Sequence, residues 1–289
     1  MNGFVVLDKK EGETSFRASS FLKKVYNEKK TGHTGTLDPM ATGVLPVAVG
    51  KATRFIDFIP DSGKEYAARF RCGVTTDTLD ITGKVLTETE AHVSKEQIED
   101  VLPFFTGEIR QLPPMYSAIS VNGKRLYELA RKGVEVEREY RTVVINELNL
   151  TNVFGNEFEI GVSCSKGTYI RSLISDIGER LGCGAVMTAL RRTRSNGFSI
   201  EDSFTPEQVA ENPEMALLPL DAPFLSFGSI EVTDKQAVRF SNGGELFADR
   251  LGGERSEGMY RVYSKKNVFL GLGEIRDGFL FVLRVTGDV

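Results

Sequence analysis

The sequence has few of the side chains on which metal sites and charge-relay catalysis depend. It contains three cysteines and two histidines among 289 residues. Cys72, Cys164 and Cys183 show neither paired nor metal-type spacing, which is typical of a protein from a reducing compartment. Because histidine is confined to His33 and His92, we expect no Ser-His-Asp triad and no metal site.

Long apolar runs are also missing. No segment approaches the roughly 18 to 20 apolar residues that a membrane-spanning helix needs. The apolar start Gly3–Leu7 is interrupted by Asp8-Lys9-Lys10, so it is too short for a signal peptide. We therefore expect a cytoplasmic protein with no membrane partner. A hydrophobic content of 40% is ordinary for a globular protein and can supply a core.

The net charge of −4 argues, taken alone, against nucleic-acid binding. The distribution is uneven, because residues 201–289 carry fifteen acids and nine Lys/Arg, a net −6 that leaves residues 1–200 at +2. Local basic clusters within those 200 residues are compatible with one folded polyanion, and equally with solvated surface faces. One cluster, with Tyr116 and Tyr127, has the mixture of aromatic and basic side chains that looped RNA favours. The clusters are Lys23, Lys24, Lys29 and Lys30, then Arg125, Arg131, Lys132, Arg138 and Arg141, and then Arg191, Arg192 and Arg194.

Strand and helix patterns alternate along the chain without the regular period of a βαβ fold. We therefore expect an α+β fold with a mixed, mainly antiparallel sheet. A proline-bearing stretch at 212–223 is interpreted as a linker to a small β-rich unit at 230–289. The predicted strands are 4–7, 44–49, 64–72, 116–121, 141–153 and 157–164, with an Asn122-Gly123 turn. The predicted helices are 14–26, 52–59, 94–102, 125–132, 168–181 and 185–191.

The segment Gly32–Gly43 is the most informative stretch of the chain. It places one carboxylate, Asp38, among three glycines and three threonines. Glycine lets the backbone approach a ligand closely, and Pro39 biases Asp38 toward an extended conformation. Such a carboxylate can act as a nucleophile or general base without a cofactor, or it can hydrogen-bond to its own turn. The Gly-Lys-Ser/Thr ending of a Walker phosphate loop is missing.

Three other side chains are candidates for chemistry, each with an alternative. Tyr66 can stack on a planar substrate or act as an acid or base, although an aromatic residue on a strand is typical of a core. Arg171, at a predicted strand-to-helix junction, can pair with a buried carboxylate or can be an ordinary surface arginine. His33 can stack on a base or hydrogen-bond to it.

Six groups of segments between residues 3 and 200 share a further property. Their content and order resemble the motifs of the bacterial tRNA pseudouridine-55 synthases, the TruB family. One departure is Lys10, which stands where the family usually has proline. The segments are Leu7-Asp8-Lys9 with Gly12 and Thr14-Ser15; Gly32–Gly43; Lys64-Glu65-Tyr66; Pro113–Ala118 with Gly123 and Tyr127–Arg131; Lys166–Arg171; and Leu190-Arg191-Arg192-Thr193.

The resemblance implies a pseudouridine synthase fold with the site in a central cleft. Residues 1–223 would form the catalytic domain, with an RNA-gripping insertion at about 105–141. Residues 224–289 resemble, more loosely, a PUA-type RNA-binding domain. The implied partner is the T-arm stem-loop of tRNA, with no cofactor, no metal, no obligate protein partner and a monomeric protein.

The resemblance also implies a role for each site residue. The implied reaction flips uridine 55 out of the T loop, cleaves C1′–N1, rotates the uracil and rejoins it through C5. Asp38 would be the essential carboxylate, Arg171 its partner, and Tyr66 would stack on the uracil and help to remove the C5 proton. His33 would occupy the vacated stack. Tyr169 and Leu190 would form walls of the pocket, and Lys9 would support either the first-motif strand or the RNA. The other residues expected to bind the RNA are Lys64, Tyr116 and Arg131.

Two alternatives remain on the same fold. One is a guide-RNA-dependent synthase of the dyskerin-like branch, which usually carries extra N-terminal sequence and a more basic C-terminal region. The other is a non-catalytic protein that binds tRNA or helps it fold. The presence of Asp38, Tyr66 and Arg171 argues against a non-catalytic protein.

Overall fold

The larger of two main sheets organises the first two hundred residues. The structure, a computed structural model, describes residues 1–121, 123–253 and 255–287. Asn122 of the predicted Asn122-Gly123 turn therefore lies outside the described residues, as do the last two residues of the predicted second domain. The strands here are β1 (Gly3–Lys9), β2 (Thr31–His33), β3 (Thr42–Val49), β4 (Lys64–Cys72), β5 (Val74–Thr76), β6 (Val85–Glu88), β7 (Gly107–Gln111), β8 (Ser120–Val121), β9 (Lys124–Arg125), β10 (Arg141–Phe154), β11 (Glu157–Cys164), β12 (Ala185–Ser195) and β13 (Phe198–Ser199).

The helices of this part of the chain alternate in sequence with the strands or come after them. Ser94 and Gln97 form the capping box predicted at the start of the second helix. The helices are α1 (Ser15–Val25), α2 (Lys95–Val101), α3 (Leu126–Ala130), α4 (Ile170–Arg180), α5 (Pro206–Glu211) and α6 (Pro213–Ala216). Short 3-10 helices span Gly50–Phe58, Leu102–Phe105, Ile200–Asp202, Ala222–Phe224 and Ala248–Arg250.

The main sheet has the strand order β1-β3-β12-β4-β11-β10-β7. Its neighbours are antiparallel except β3 and β12, which run parallel through Arg191↔Thr42 and Arg192↔Gly43. The expected α+β class with a mixed, mainly antiparallel sheet is therefore confirmed. The carboxylate loop lies between β2 and β3, beside the central strands β12 and β4.

A second sheet lies in the C-terminal part of the chain. Its order is β14-β16-β17-β18-β15, and α7 (Asp234–Ser241) packs on it with Phe240 fully buried. The two sheets share an apolar layer, in which the ring centroids of Phe55 and Phe269 are 5.9 Å apart and those of Phe55 and Phe224 are 6.1 Å apart. The strands are β14 (Gly228–Val232), β15 (Leu246–Phe247), β16 (Gly258–Ser264), β17 (Phe269–Arg276) and β18 (Phe279–Val285).

One predicted helix is wrong, because residues 185–191 belong to strand β12. The segment contains Ala, Met and Leu, which favour helices as isolated residues. In the fold it pairs with β4 and β3 at the centre of the sheet, and backbone pairing with burial overrides that weak preference. The predicted helix at 125–132 is shorter than expected, since α3 covers only Leu126–Ala130.

The predicted linker at 212–223 is packed rather than free. Phe4 N–H donates to Leu218 O at 3.0 Å, and Leu218 N–H donates back to Phe4 O at 2.8 Å. This exchange attaches the central part of the segment to β1. No helix in the described part of the chain is long and apolar enough to cross a membrane.

Candidate active site

The loop that carries Asp38 is held in place by α1. Ser15 Oγ donates to Leu37 O at 3.0 Å and accepts from Leu37 N–H at 2.8 Å. Both groups are buried, so this exchange satisfies backbone polar atoms that water cannot reach. The loop backbone directly before Asp38 is thereby fixed to the start of the helix.

Lys9 supports the same loop from β1. Its side chain is buried, and its ammonium donates to the carbonyl oxygens of Lys10 at 2.8 Å, Glu13 at 2.6 Å and Pro39 at 3.2 Å. Burial lowers the pKa of Lys9 to about 8, and the charges of Glu13 and Asp38 oppose that fall. All three ammonium hydrogens have protein acceptors, so Lys9 supports the backbone that follows β1 and the carboxylate loop.

Asp38 forms a two-point ion pair with Arg171 at the first turn of α4. Asp38 Oδ2 lies 2.8 Å from Arg171 Nε, and Oδ1 accepts from Nη2 at 3.1 Å. The arginine side chain is 6% exposed and the carboxylate 32% exposed, so the acid is the member of the pair that a substrate can reach. Burial raises the pKa of Asp38, and the guanidinium opposes that rise.

Arg171 is itself held by groups outside the carboxylate loop. Its Nη1 donates to Thr78 O at 2.9 Å and its Nη2 to Tyr116 O at 2.8 Å. The buried carboxylate of Asp80 lies 3.7 Å from Nη1. The guanidinium thus bridges two acids, and three partners besides Asp38 determine its orientation.

The Asp80 turn has an unusual backbone. Leu79 adopts φ +63°, a left-handed conformation that is uncommon for a large side chain. Asp80 Oδ1 accepts from Thr82 N–H at 3.0 Å and from the hydroxyls of Thr78 and Thr82 at 2.9 and 2.5 Å. These bonds stabilise the strained turn internally, and the donation from Ile81 N–H to Met187 O attaches the turn to β12.

Tyr66 lies on β4 between two strands. Its register partners are Val162 on β11 and Arg192 on β12, and its side chain is 8% exposed. The charges of Arg192 and Asp38 both act on its hydroxyl. Burial raises the pKa of Tyr66, and Arg192 opposes the rise. Arg192, the strand partner of Tyr66, also donates to the carbonyls of Thr36 and Gly35, so Tyr66 lies beside the loop that carries Asp38.

Four other predicted residues surround this group. Tyr169 precedes α4 and exchanges two hydrogen bonds with the Gln111 amide, through its N–H at 2.7 Å and its carbonyl at 3.0 Å. Leu190 is buried on β12. His33 and Lys64 are half-buried at the ends of β2 and β4, and burial lowers the pKa of both.

The other two predicted residues belong to the insertion. Tyr116 contributes its backbone carbonyl to Arg171, a contact that its side-chain type did not indicate. Arg131 is exposed at the end of α3, with its guanidinium 5.5 Å from the centroid of the Tyr127 ring. No described contact joins Arg131 to the ion pair.

Sequence reasoning missed Asp80 and Arg192 as members of the site. Asp80 lies in a threonine-rich turn whose composition is similar to that of the Asp38 loop, and this similarity could have drawn attention to it. Arg192 stands in the motif segment Leu190-Arg191-Arg192-Thr193, but it was given no chemical role because the pairing of its strand with β4 was not predicted. As a whole, the arrangement offers one accessible carboxylate, a tyrosine beside it and several cations, which suits covalent or general-base chemistry on a polyanionic substrate.

Comparison with known proteins agrees with this geometry. The model of the TruB family pseudouridylate synthase N-terminal domain matches residues 23–170. Two models of TruB C-terminal domains match residues 171–222 and 228–285. A tRNA pseudouridine synthase B of Clostridium perfringens is 44% identical over 279 residues, covering 95% of each chain.

More distant proteins match over similar lengths. A tRNA pseudouridine synthase B of Escherichia coli is 40% identical, over 96% of this chain and 92% of its own. The solved structure of a Cbf5-Nop10-Gar1 complex contains a chain that is 28% identical, with a TM-score of 0.75 over 98% of this chain and 84% of that one.

Proposed function

The chain belongs to the TruB family of pseudouridylate synthases and isomerises uridine in tRNA, and we propose that its target is uridine 55 in the T-arm loop. The observation that carries the proposal is the Asp38–Arg171 pair beside Tyr66, in a loop rich in glycine and threonine. The expectation that the chain is an enzyme of this family is confirmed.

The reaction requires that the target base leave its stack, at a cost of a few kcal/mol. Breaking C1′–N1 and forming C1′–C5 leaves the atoms of the nucleotide unchanged apart from a proton that moves from C5 to N1. No redox equivalent or group donor is therefore needed. His33 would support the vacated stack, and Tyr169 and Leu190 would form walls of the pocket.

Asp38 is the carboxylate that starts the reaction, either by attack on the nucleotide or by removal of a ribose proton. Its partial exposure makes it reachable, whereas Asp80 is only 7% exposed behind the arginine. Arg171 keeps Asp38 ionised and oriented. Tyr66 stacks on the uracil and takes part in the later removal of the C5 proton.

Binding of the tRNA would depend on basic side chains outside the pocket. Phosphate contacts from Lys64, from Arg131 of the insertion at about 105–141, and from the lysines of α1 would supply most of the salt-dependent affinity. The domain boundaries proposed are 1–223 for catalysis and 224–289 for a PUA-like RNA-binding unit. We propose a monomer that acts in the cytoplasm without an obligate protein partner.

The direct test is to incubate the pure protein with an unmodified T-arm hairpin and to map pseudouridine along it. We expect modification at the loop uridine alone, without added metal, cofactor or guide RNA. Tight binding with no modified uridine would support a non-catalytic RNA-binding protein. Modification only after a guide RNA is added would support the guide-dependent alternative.

A further inference from the structure

We propose that Arg192 is a positioning residue that holds the Tyr66 oxygen and stabilises it as a phenolate while it takes the proton from C5. The inference rests on the proposed function, because it gives Tyr66 a step in pseudouridine formation. It assigns a role to Arg192, which takes no part in the ion pair between Asp38 and Arg171.

The burial of Arg192 needs an explanation. Its side chain is among the largest in the protein that are completely buried, at 0% exposure. No carboxylate lies within 4 Å of its guanidinium in residues 1–121, 123–253 and 255–287. A buried cation without an anionic partner is costly, so an arginine whose only task was to fill space would be a poor choice.

The guanidinium is directed by backbone carbonyls. Nε donates to Val44 O at 2.7 Å, Nη1 to Thr36 O at 3.4 Å and Nη2 to Gly35 O at 3.3 Å. These acceptors belong to the carboxylate loop and to the strand that follows it. They orient the planar group but do not neutralise its charge.

Strand register places this charge opposite Tyr66. Arg192 and Tyr66 are direct partners in the antiparallel pairing of β12 with β4. Side chains at such positions are close neighbours on one face of a sheet. At this register position the positive charge of Arg192 acts on the Tyr66 hydroxyl and lowers its pKa.

The surroundings of the Tyr66 hydroxyl leave Arg192 as its stabilising charge. The titratable groups that act on it are Arg192 on β12, Cys164 on β11 and Asp38 in the loop. Asp38 and Cys164 raise the pKa of Tyr66, as burial does, whereas the positive charge of Arg192 lowers it. A phenolate at this position therefore has its counter-ion in Arg192.

The step balances with water as the other participant. After C5 has joined C1′, the ring carries a C6=N1 double bond. The C5–H bond then breaks, its electron pair forms C5=C6, and the C6=N1 π pair moves to N1. The proton goes to the Tyr66 phenolate, which becomes a phenol, and N1 receives a proton from water. The phenol then returns its proton to the hydroxide left in solution.

The test compares single-turnover rates on tRNA carrying hydrogen or deuterium at C5 of the target uridine. In Arg192→Gln we expect slowing of about tenfold or more, since a loss of one pKa unit of stabilisation is a factor of ten. We also expect a primary isotope effect larger than that of the wild type, and a rate that rises with pH. Arg192→Lys, which keeps a positive charge, should restore part of the rate and reduce the isotope effect.

The isotope effect is a ratio of two rates on one preparation, so a partly unfolded variant does not distort it. Arg194 is an exposed arginine on the same strand, so Arg194→Gln is the matched control and should show the isotope effect of the wild type. If Arg192→Gln slows the hydrogen and deuterium substrates by the same factor, so that the isotope effect equals that of the wild type, the proposal is overturned. Tyr66→Phe distinguishes a failure of the role assigned to Arg192 from a failure of the role assigned to Tyr66. If Tyr66→Phe shows no isotope effect either, the assignment of the C5 step to Tyr66 fails. If the wild type forms no pseudouridine, the proposed function itself fails.

Discussion

Arg171 contacts Asp38 through two different nitrogens, with Nε 2.8 Å from one carboxylate oxygen and Nη2 3.1 Å from the other. A planar guanidinium that meets a carboxylate in this way fixes both its distance and its rotation. The carbonyls of Thr78 and Tyr116 and the carboxylate of Asp80 hold the far side of the same arginine. The accessible acid is thus oriented by three segments that are distant in sequence.

Replacing Asp38 by Asn should abolish pseudouridine formation while tRNA affinity stays within about tenfold. The amide has nearly the same shape but can neither attack the nucleotide nor accept a ribose proton. Product mapping and a filter-binding assay at fixed salt measure the two quantities. Normal turnover by this variant would contradict the assigned role of the carboxylate.

Arg171→Gln should lower the single-turnover rate at neutral pH by about a hundredfold, because a misplaced reacting group costs roughly that factor. The variant should also move the acid limb of the pH–rate profile to higher pH. Asp38 acts when ionised, burial raises its pKa above 3.8, and the arginine opposes that rise. Without the cation the carboxylate therefore protonates at still higher pH.

The control for this change is Arg171→Lys, which keeps the charge but loses the two-point contact. Its rate should fall, whereas its acid limb should stay closer to that of the wild type. An acid limb that is identical in Arg171→Gln and the wild type would show that the arginine does not control the ionisation of Asp38.

Ser15→Ala should reduce turnover by about tenfold with little change in tRNA affinity. The substitution removes both hydrogen bonds to Leu37 and leaves two buried backbone groups without a partner, at a cost of about 1–3 kcal/mol. Ser19→Ala is the matched control, because Ser19 Oγ donates only to carbonyls of its own helix. If both variants lose the same activity, the effect comes from the helix rather than from the loop.

Gly43→Ala should destabilise the protein by about 3 kcal/mol. Gly43 has φ +100°, and an added Cβ would lie 2.2 Å from Arg192 O, so the substitution combines backbone strain with overpacking of β3 against β12. Gly12→Ala has a similar left-handed backbone at φ +77° but open space, and should cost only about 1–2 kcal/mol. Urea unfolding measures the difference, and equal midpoints would contradict the close approach of the strands.

Part of the site was predictable because its chemistry depends on local sequence. The loop around Asp38, the strand with Tyr66 and the start of α4 at Arg171 are each readable from a few neighbouring residues. Their assembly was available only through resemblance, since Asp38 and Arg171 are 133 residues apart. Arg192 shows the limit, because only the pairing of β12 with β4 places it opposite Tyr66.

The sequence by itself determined the mixed α+β class, the family and the identity of the accessible acid, because these depend on local patterns and motifs. Tertiary structure decided that residues 185–191 pair as a strand, that residues 212–223 attach to β1, and that Asp80 and Arg192 join the site. Each of these outcomes depends on backbone pairing or burial between segments far apart in the chain, where long-range contacts outweigh local preference.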